Sequence, residues 1–141
     1  MMMVTVGTVK RGLYMGFNTT WELAKVVVPV YIVVTFLKYT PAMNFIVQFC
    51  EPAMKIFGLP GEASIVLVLG NLLNNYAAIG AISSLHLSAK AITILAAMLL
   101  ISHSLPIESA VSKMTGVSPM LMGGFRLVMS LLMGAALNLL L

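Results

Sequence analysis

The sequence is poor in cysteine and in charged residues. Cys50 is the single cysteine, so the chain has no internal disulfide and no site built from several cysteines, such as a zinc or iron–sulfur site. Only 9% of the residues are charged, whereas roughly a quarter is usual in soluble domains. The sequence also shows no convincing spacing of metal ligands or of a nucleophile and its base. We therefore predict no enzyme, no metal site and no cofactor.

The few charges that are present are mostly basic and widely spaced. Eight Lys and Arg residues stand against four acidic ones. They form no basic patch and no RNA-binding signature, so nucleic acid is not predicted as a partner. Anionic lipid headgroups account for such a balance. The first 20 residues lack the compact apolar core and cleavage site of a secretory signal peptide, so we expect the first span to act as an uncleaved membrane signal.

Long apolar segments dominate the rest of the chain. Hydrophobic residues make up 60% of the sequence and concentrate over residues 21–37, 58–85, 91–101 and 120–141. A transmembrane helix needs about 20 such residues. The pattern predicts an all-α, polytopic helical protein of the cell inner (plasma) membrane with three to four spans. We expect residues 1–20 to form an N-terminal interfacial segment and residues 21–141 to form one transmembrane domain, which includes a short interfacial or re-entrant helix over residues 41–57.

Side-chain amides interrupt the second of these apolar segments. Asn71, Asn74 and Asn75 have i, i+3, i+4 spacing, which places them on one face of a continuous helix. Polar groups at membrane depth usually face a protein interior or a water-filled cavity. We therefore predict a broken or pore-facing helix with a solute site that also includes Gly70 and Tyr76. The alternative is that the amides only hold helices together. The small residues that follow them favour close approach of another helix.

A second polar cluster follows the third apolar segment. Residues 91–101 are too few to cross a bilayer alone, and His103, Ser104, Pro106 and Glu108 come next. Either the helix continues through this cluster, or it stops and Pro106 begins a second half-helix. Glu108 would then lie in the first turn, where a carboxylate favours the positive helix end. It is either such a capping acid, or it contacts the solute or a coupling proton together with His103 and Ser104.

A turn separates this cluster from the last span. Gly116 is expected to end one helix, and Ser118–Pro119 to begin the next. Arg126 follows within the last apolar segment. The favoured interpretation is that its long side chain reaches the membrane interface; the alternative is that it neutralises Glu108 or holds an anion.

The predicted architecture indicates an oligomer. Irregular backbone at membrane depth is typical of secondary transporters. Lys and Arg fall almost evenly on both sides of the predicted spans, so they fix no orientation. We therefore predict one half of an inverted or paired-repeat assembly: a homodimer, or a pair with a homologous small membrane protein. Four short spans are too few to enclose a solute pathway.

Three short motifs resemble the Gate, or nucleoside-recognition, family of membrane domains. They are Gly58 to Gly61, Leu69 to Ala77 with Gly70 and Asn74, and Ser104 to Glu108. The family includes spore maturation membrane proteins and the core of the ferrous iron permease. The resemblance implies a helical fold with paired repeats, a transport or gating role, and Gly70 and Asn74 as motif residues. The permease core has a cysteine where this chain has Leu73, so a soft-metal ligand does not carry over.

Two functions fit these observations. The first is a small transporter or transporter subunit that works as an oligomer and moves a polar, nucleoside-like solute. The three asparagines would bind this solute, and Glu108 and His103 would couple its movement to a proton or a sodium ion. The second is a non-transporting assembly subunit whose amides lock it to a homologous partner chain. Removal of Asn74 or Glu108 would abolish solute binding under the first hypothesis and break up the oligomer under the second.

Overall fold

The computed structural model describes residues 6–141, which form seven helices and, within this range, no strand. The helices are α1 (Val6–Lys38), α2 (Pro41–Ile56), α3 (Ala63–Leu72), α4 (Asn75–Ser84), α5 (Ala89–Ser102), α6 (Leu105–Met114) and α7 (Pro119–Leu140). Three segments are long and apolar enough to cross a membrane: α1, the combined segment Ala89–Met114 of α5 and α6, and α7. The predicted all-α, polytopic class is confirmed.

Helix α1 begins inside the segment that we predicted to lie at the membrane surface. It runs as one helix from Val6 to Lys38, so residues 6–20 continue directly into the first span. Residues 1–5 of the predicted interfacial segment lie outside the described residues. The interfacial position of this segment stays a prediction.

Proline and glycine set the ends of several helices. Pro41, Pro106 and Pro119 lie in the first turns of α2, α6 and α7, where a missing N–H costs no helical hydrogen bond. Gly58 and Gly116 follow α2 and α6 with φ angles of 63° and 83°, a left-handed conformation that commonly ends helices. The start of α6 at Leu105–Pro106 corresponds to the second of the two alternatives that the sequence left open, and the predicted stop at Gly116 is found where α6 ends.

Helix α3 lies at the centre of the packing. It contacts α2, α4, α5 and α6, and its Val66 is fully buried, as are Ile94 and Leu95 of α5. Helix α4 packs along α1, and α7 packs along α5. The chain itself covers little of the outer helices. Only 6% of the apolar 18-residue stretch of α1 and 11% of the corresponding stretch of α7 are buried. Lipid or another chain must cover the remainder.

Small residues let α4 approach α1 closely. Ala77 and Ala81 are fully buried, and a Cβ atom added to Gly80 would lie 2.8 Å from the backbone oxygen of Val27 and 3.2 Å from Cβ of Val30. The predicted close helix contact along this small-residue face is confirmed.

Candidate functional site

The central amide segment is divided between two helices. α3 ends at Leu72 and α4 begins at Asn75, and Asn74 between them is extended, with φ −168° and ψ 170°. Oδ1 of Asn74 accepts a hydrogen bond from the backbone N–H of Ala77 at 3.0 Å, so it caps α4. The helix is thus interrupted at the amides, which is one of the two forms that we predicted, and the three asparagines do not lie on one continuous helix. The physical reason is that a short amide side chain competes with helical hydrogen bonds and favours a cap.

The second polar cluster also separates two helices. α5 ends at Ser102 and α6 begins at Leu105. Between them, Ser104 is left-handed, with φ 51° and ψ 38°. It is the one non-glycine residue with positive φ in the described part of the chain. This conformation costs roughly 1–2 kcal/mol for an L-residue, and it persists only where surrounding contacts hold it.

Backbone contact joins the two breaks. The N–H of Ser104 donates to the carbonyl oxygen of Gly70 at 2.9 Å, which satisfies a carbonyl in the last turn of α3 that lacks a helical partner. Gly70 has no room for a side chain, because an added Cβ would lie 2.5 Å from Cδ2 of Leu99 and 3.1 Å from Cβ of Ala78. We call residues 70–75 and 102–108 together the junction.

Two amide oxygens at the junction are buried without a hydrogen-bond partner. They are Oδ1 of Asn71 and Oδ1 of Asn75. A buried acceptor without a donor costs about 1–3 kcal/mol, so a ligand that supplied an N–H or O–H group here would be favoured. Asn75 also lines a cavity of about 220 Å³ between α4 and α5. The other lining residues are apolar: Ala78, Ile79, Ile82, Ala96, Leu99 and Leu100.

Three titratable or charged side chains meet at the second break. Oε2 of Glu108 accepts a hydrogen bond from Nη1 of Arg126, and Oε1 of Glu108 lies 3.3 Å from Nδ1 of His103. Nε of Arg126 donates to the carbonyl oxygen of Ile101 at 2.7 Å. The guanidinium therefore binds both the C-terminal end of α5 and the first turn of α6.

Arg126 was missing from the site that we predicted from the sequence. Its side chain is only 16% exposed and it pairs with Glu108, so the favoured interpretation that it reaches the membrane interface is wrong. The neutralisation of Glu108, which was the alternative, is what the structure shows. The sequence signal for this pairing is the presence of Glu108, because ionisable groups within membrane segments usually pair with one another.

The predicted site residues thus fall into two neighbouring groups. Asn71, Asn74 and Asn75 lie at the first break, and His103, Ser104 and Glu108 lie at the second. The hydrogen bond from Ser104 to Gly70 links the two groups. Tyr76 lies in the first turn of α4 with 45% of its surface exposed. Whether any of these residues binds a solute stays a prediction.

Comparison with known proteins identifies a family and several relatives that the chain matches. Residues 20–116 match the model of a family described as Gate, nucleoside recognition. The chain is 52% identical over 106 residues to YvoD of Bacillus subtilis, an uncharacterized membrane protein, with 75% of this chain and 34% of YvoD covered. It is 38% identical over 71 residues to the inner membrane protein YjiG of Escherichia coli, with 50% of this chain and 46% of YjiG covered. No solved structure matches.

Two consequences follow from these relatives. Both are named as membrane proteins, and the chain has three helices able to span a membrane, so the predicted location in the inner membrane is confirmed. The matched regions also amount to less than half of either relative, because they cover 34% of YvoD and 46% of YjiG.

Proposed function

Because the chain belongs to the Gate, or nucleoside-recognition, family of membrane proteins, we propose that it is a subunit of a membrane transporter that recognises a polar, nucleoside-like solute at the junction. The family and the membrane location support a transport-related role. The solute and its site are our proposal.

The observation that carries the proposal is the pair of unpartnered amide oxygens, Oδ1 of Asn71 and Oδ1 of Asn75, beside two helix breaks that meet. A nucleoside carries N–H and O–H donors that match such acceptors. The apolar cavity next to Asn75 is about 220 Å³, and a cavity of about 150 Å³ suffices to hold benzene. A ring with one polar edge therefore fits both the volume of this cavity and its lining, which combines the Asn75 amide with apolar side chains.

The charged cluster supports a coupled mechanism. Glu108 and His103 lie 3.3 Å apart, and ionisable groups that face each other within a membrane segment commonly form ion or proton pathways. We assign to these two residues the coupling of solute movement to a proton or a sodium ion. His103 follows the end of α5 and Glu108 lies in the first turn of α6. Both flank Ser104, which links the two breaks, so a change in their charge would alter the junction.

We further propose that the functional unit contains a second copy of this chain or a homologous partner. α1 and α7 leave most of their apolar surface uncovered, and the matched region makes up only part of each relative. The alternative role, a non-transporting assembly subunit, is favoured by one observation: Oδ1 of the motif residue Asn74 is already used to cap α4.

Nucleoside binding to the purified protein in lipid nanodiscs tests the proposal. Calorimetry should detect uridine or adenosine binding, and Asn71→Ala and Asn75→Ala should each weaken it by roughly 2- to 10-fold, since a net hydrogen bond contributes about 0.5–1.5 kcal/mol. Asn44→Ala removes an exposed amide on α2 and is the matched control; it should have no effect. Absence of binding by the wild type, or an equal loss in the control, would contradict the proposal. Loss of the oligomer in place of loss of binding would favour the assembly role.

A further inference from the structure

The charges at the junction are already balanced. Glu108 has one oxygen on Arg126 and the other near His103, so with a neutral imidazole the carboxylate and the guanidinium sum to zero. α3, which packs against α5 and α6, contains no charged residue. Lys90 lies at the opposite end of α5, where its Nζ donates to the carbonyl oxygen of Asn138, and Lys113 lies in the last turn of α6.

Arg126 also occupies the place where a helix break would otherwise attract a cation. The C-terminal end of a helix carries a partial negative charge, and unwound carbonyls at such ends coordinate sodium in transporters built from broken helices. Here the carbonyl of Ile101, in the last turn of α5, accepts a hydrogen bond from Nε of Arg126 at 2.7 Å. A guanidinium keeps its charge at any relevant pH. The position is therefore filled by a cation that is tethered to α7.

We propose that Arg126 is a specificity-determining residue that makes the junction select an uncharged solute. A metal cation finds Glu108 neutralised and the end of α5 occupied, and an anion such as a phosphate ester finds the guanidinium already paired. The unpartnered oxygens of Asn71 and Asn75 then select for neutral hydrogen-bond donors. The inference rests on the proposed function, because it names the charge class of the solute at the same site. It adds a residue that lies outside the region 20–116 matched by the family model.

The contact of Arg126 with the Ile101 carbonyl also bears on which ion couples to solute movement. A sodium ion needs vacant oxygen ligands, whereas a proton needs only a group that accepts it. Of the two coupling ions considered for Glu108 and His103, the proton is the one that requires no free coordination site at this break.

Removal of one charge at a time tests the inference, because the two single variants are expected to change selectivity in opposite directions. Arg126→Gln leaves Glu108 without its cation and vacates the Ile101 carbonyl, so the protein should gain binding of Mn²⁺ by at least tenfold, measured by electron paramagnetic resonance in nanodiscs. Glu108→Gln leaves Arg126 unpaired, so binding of uridine monophosphate should rise at least tenfold relative to uridine.

The double variant Glu108→Gln/Arg126→Gln is again neutral and should bind neither ion. Lys113→Gln, at the far end of α6, is the control and should leave the ion selectivity of the wild type unchanged. Arg126→Lys keeps the positive charge and should reject Mn²⁺ as the wild type does. If Arg126→Gln does not yield folded protein, Glu108→Gln still tests the inference, because this variant must gain binding of uridine monophosphate.

The possible outcomes distinguish failure of this inference from failure of the proposed nucleoside function. Tight binding of Mn²⁺ or uridine monophosphate by the wild type overturns the inference, as does the lack of any gain in folded single variants. If the wild type binds no uridine, yet the two single variants gain opposite ions and the double variant gains neither, the charge assignment to Arg126 stands and the proposed nucleoside function fails.

Discussion

Asn74 holds the start of α4 through its side chain. Its Oδ1 accepts a hydrogen bond from the backbone N–H of Ala77. Asparagine and serine are similarly good residues at this capping position, whereas alanine is poor. The structure therefore gives the motif asparagine a positioning role at the junction.

Substitution at this position separates positioning from solute contact. Asn74→Ala should lower the stability of the protein by about 1 kcal/mol and weaken nucleoside binding, because the first turn of α4 loses its cap. Asn74→Ser should restore both properties. Thermal unfolding and calorimetry in the same nanodiscs measure the two effects. A stable Asn74→Ser protein that does not bind solute would contradict this account and would assign a direct solute contact to the amide of Asn74.

Single residues also show what the sequence can and cannot predict about the site. The asparagines, His103 and Glu108 stand out because polar groups are rare in such an apolar chain. Arg126 is separated from Glu108 by a turn and lies on another helix, so its pairing depends on how α6 packs against α7. The contact from Ser104 to Gly70 is equally remote in sequence. Residue type identified the candidates, but non-local packing determined their partners.

At the scale of helices, the crossing of α4 over α1 depends on Gly80. A Cβ at this position would lie 2.8 Å from the backbone oxygen of Val27, and a backbone atom within a helix cannot move aside as a flexible side chain can. The crossing therefore requires a residue without a side chain, which ties the position of α4, and of the cap at Asn74, to α1.

Gly80→Ala should destabilise the protein by about 1–3 kcal/mol, the usual cost of overpacking. Gly12→Ala on α1 is the matched control, since an added Cβ there meets nothing within 4 Å. It should be neutral or stabilising by up to about 1 kcal/mol, because alanine favours helix more than glycine does. Denaturant unfolding in detergent measures both. Equal stability of the two variants would show that α4 does not pack on α1 at Gly80.

Helix boundaries were the part of the fold most accessible from the sequence. Gly116 and Pro119 act through their own backbone geometry, so local rules sufficed to place the end of α6 and the start of α7. The start of α6 at Leu105–Pro106 was one of two alternatives that the sequence left open. The polar side chains of residues 6–20 do not end α1, because polarity does not end a helix, and α1 continues from Val6 into the span. The position of this segment at the membrane surface stays a prediction.

At the scale of the whole molecule, the uncovered apolar surface is the dominant feature. Only a small share of α1 and α7 is buried within the chain, and the cavity beside Asn75 is bounded by helices on only some of its sides. A partner helix or lipid must complete this surface. Sequence patterns indicated that the chain is one half of an assembly, but they do not identify the face on which a partner packs.

The proposed homodimer is tested by native mass spectrometry combined with two-sided labelling. Single cysteines would replace Lys10 on α1 and Lys113 on α6 in a Cys50→Ala background. A stable dimer with each position labelled from both sides of the membrane is the expected result, because inverted copies expose the same residue on opposite sides. A monomer with one fixed orientation would contradict the inverted pair and indicate a separate partner chain.

The central claim is that the junction is the solute site, and protection of a cysteine at Ser104 tests it most directly. In a Cys50→Ala background, Ser104→Cys should react with a water-soluble thiol reagent in membranes, and uridine or adenosine should slow the reaction several-fold. Ser83→Cys, an exposed position near the opposite end of α4, should react without protection. A cysteine at position 104 that is unreactive, or that reacts at the same rate with and without nucleoside, would contradict the account.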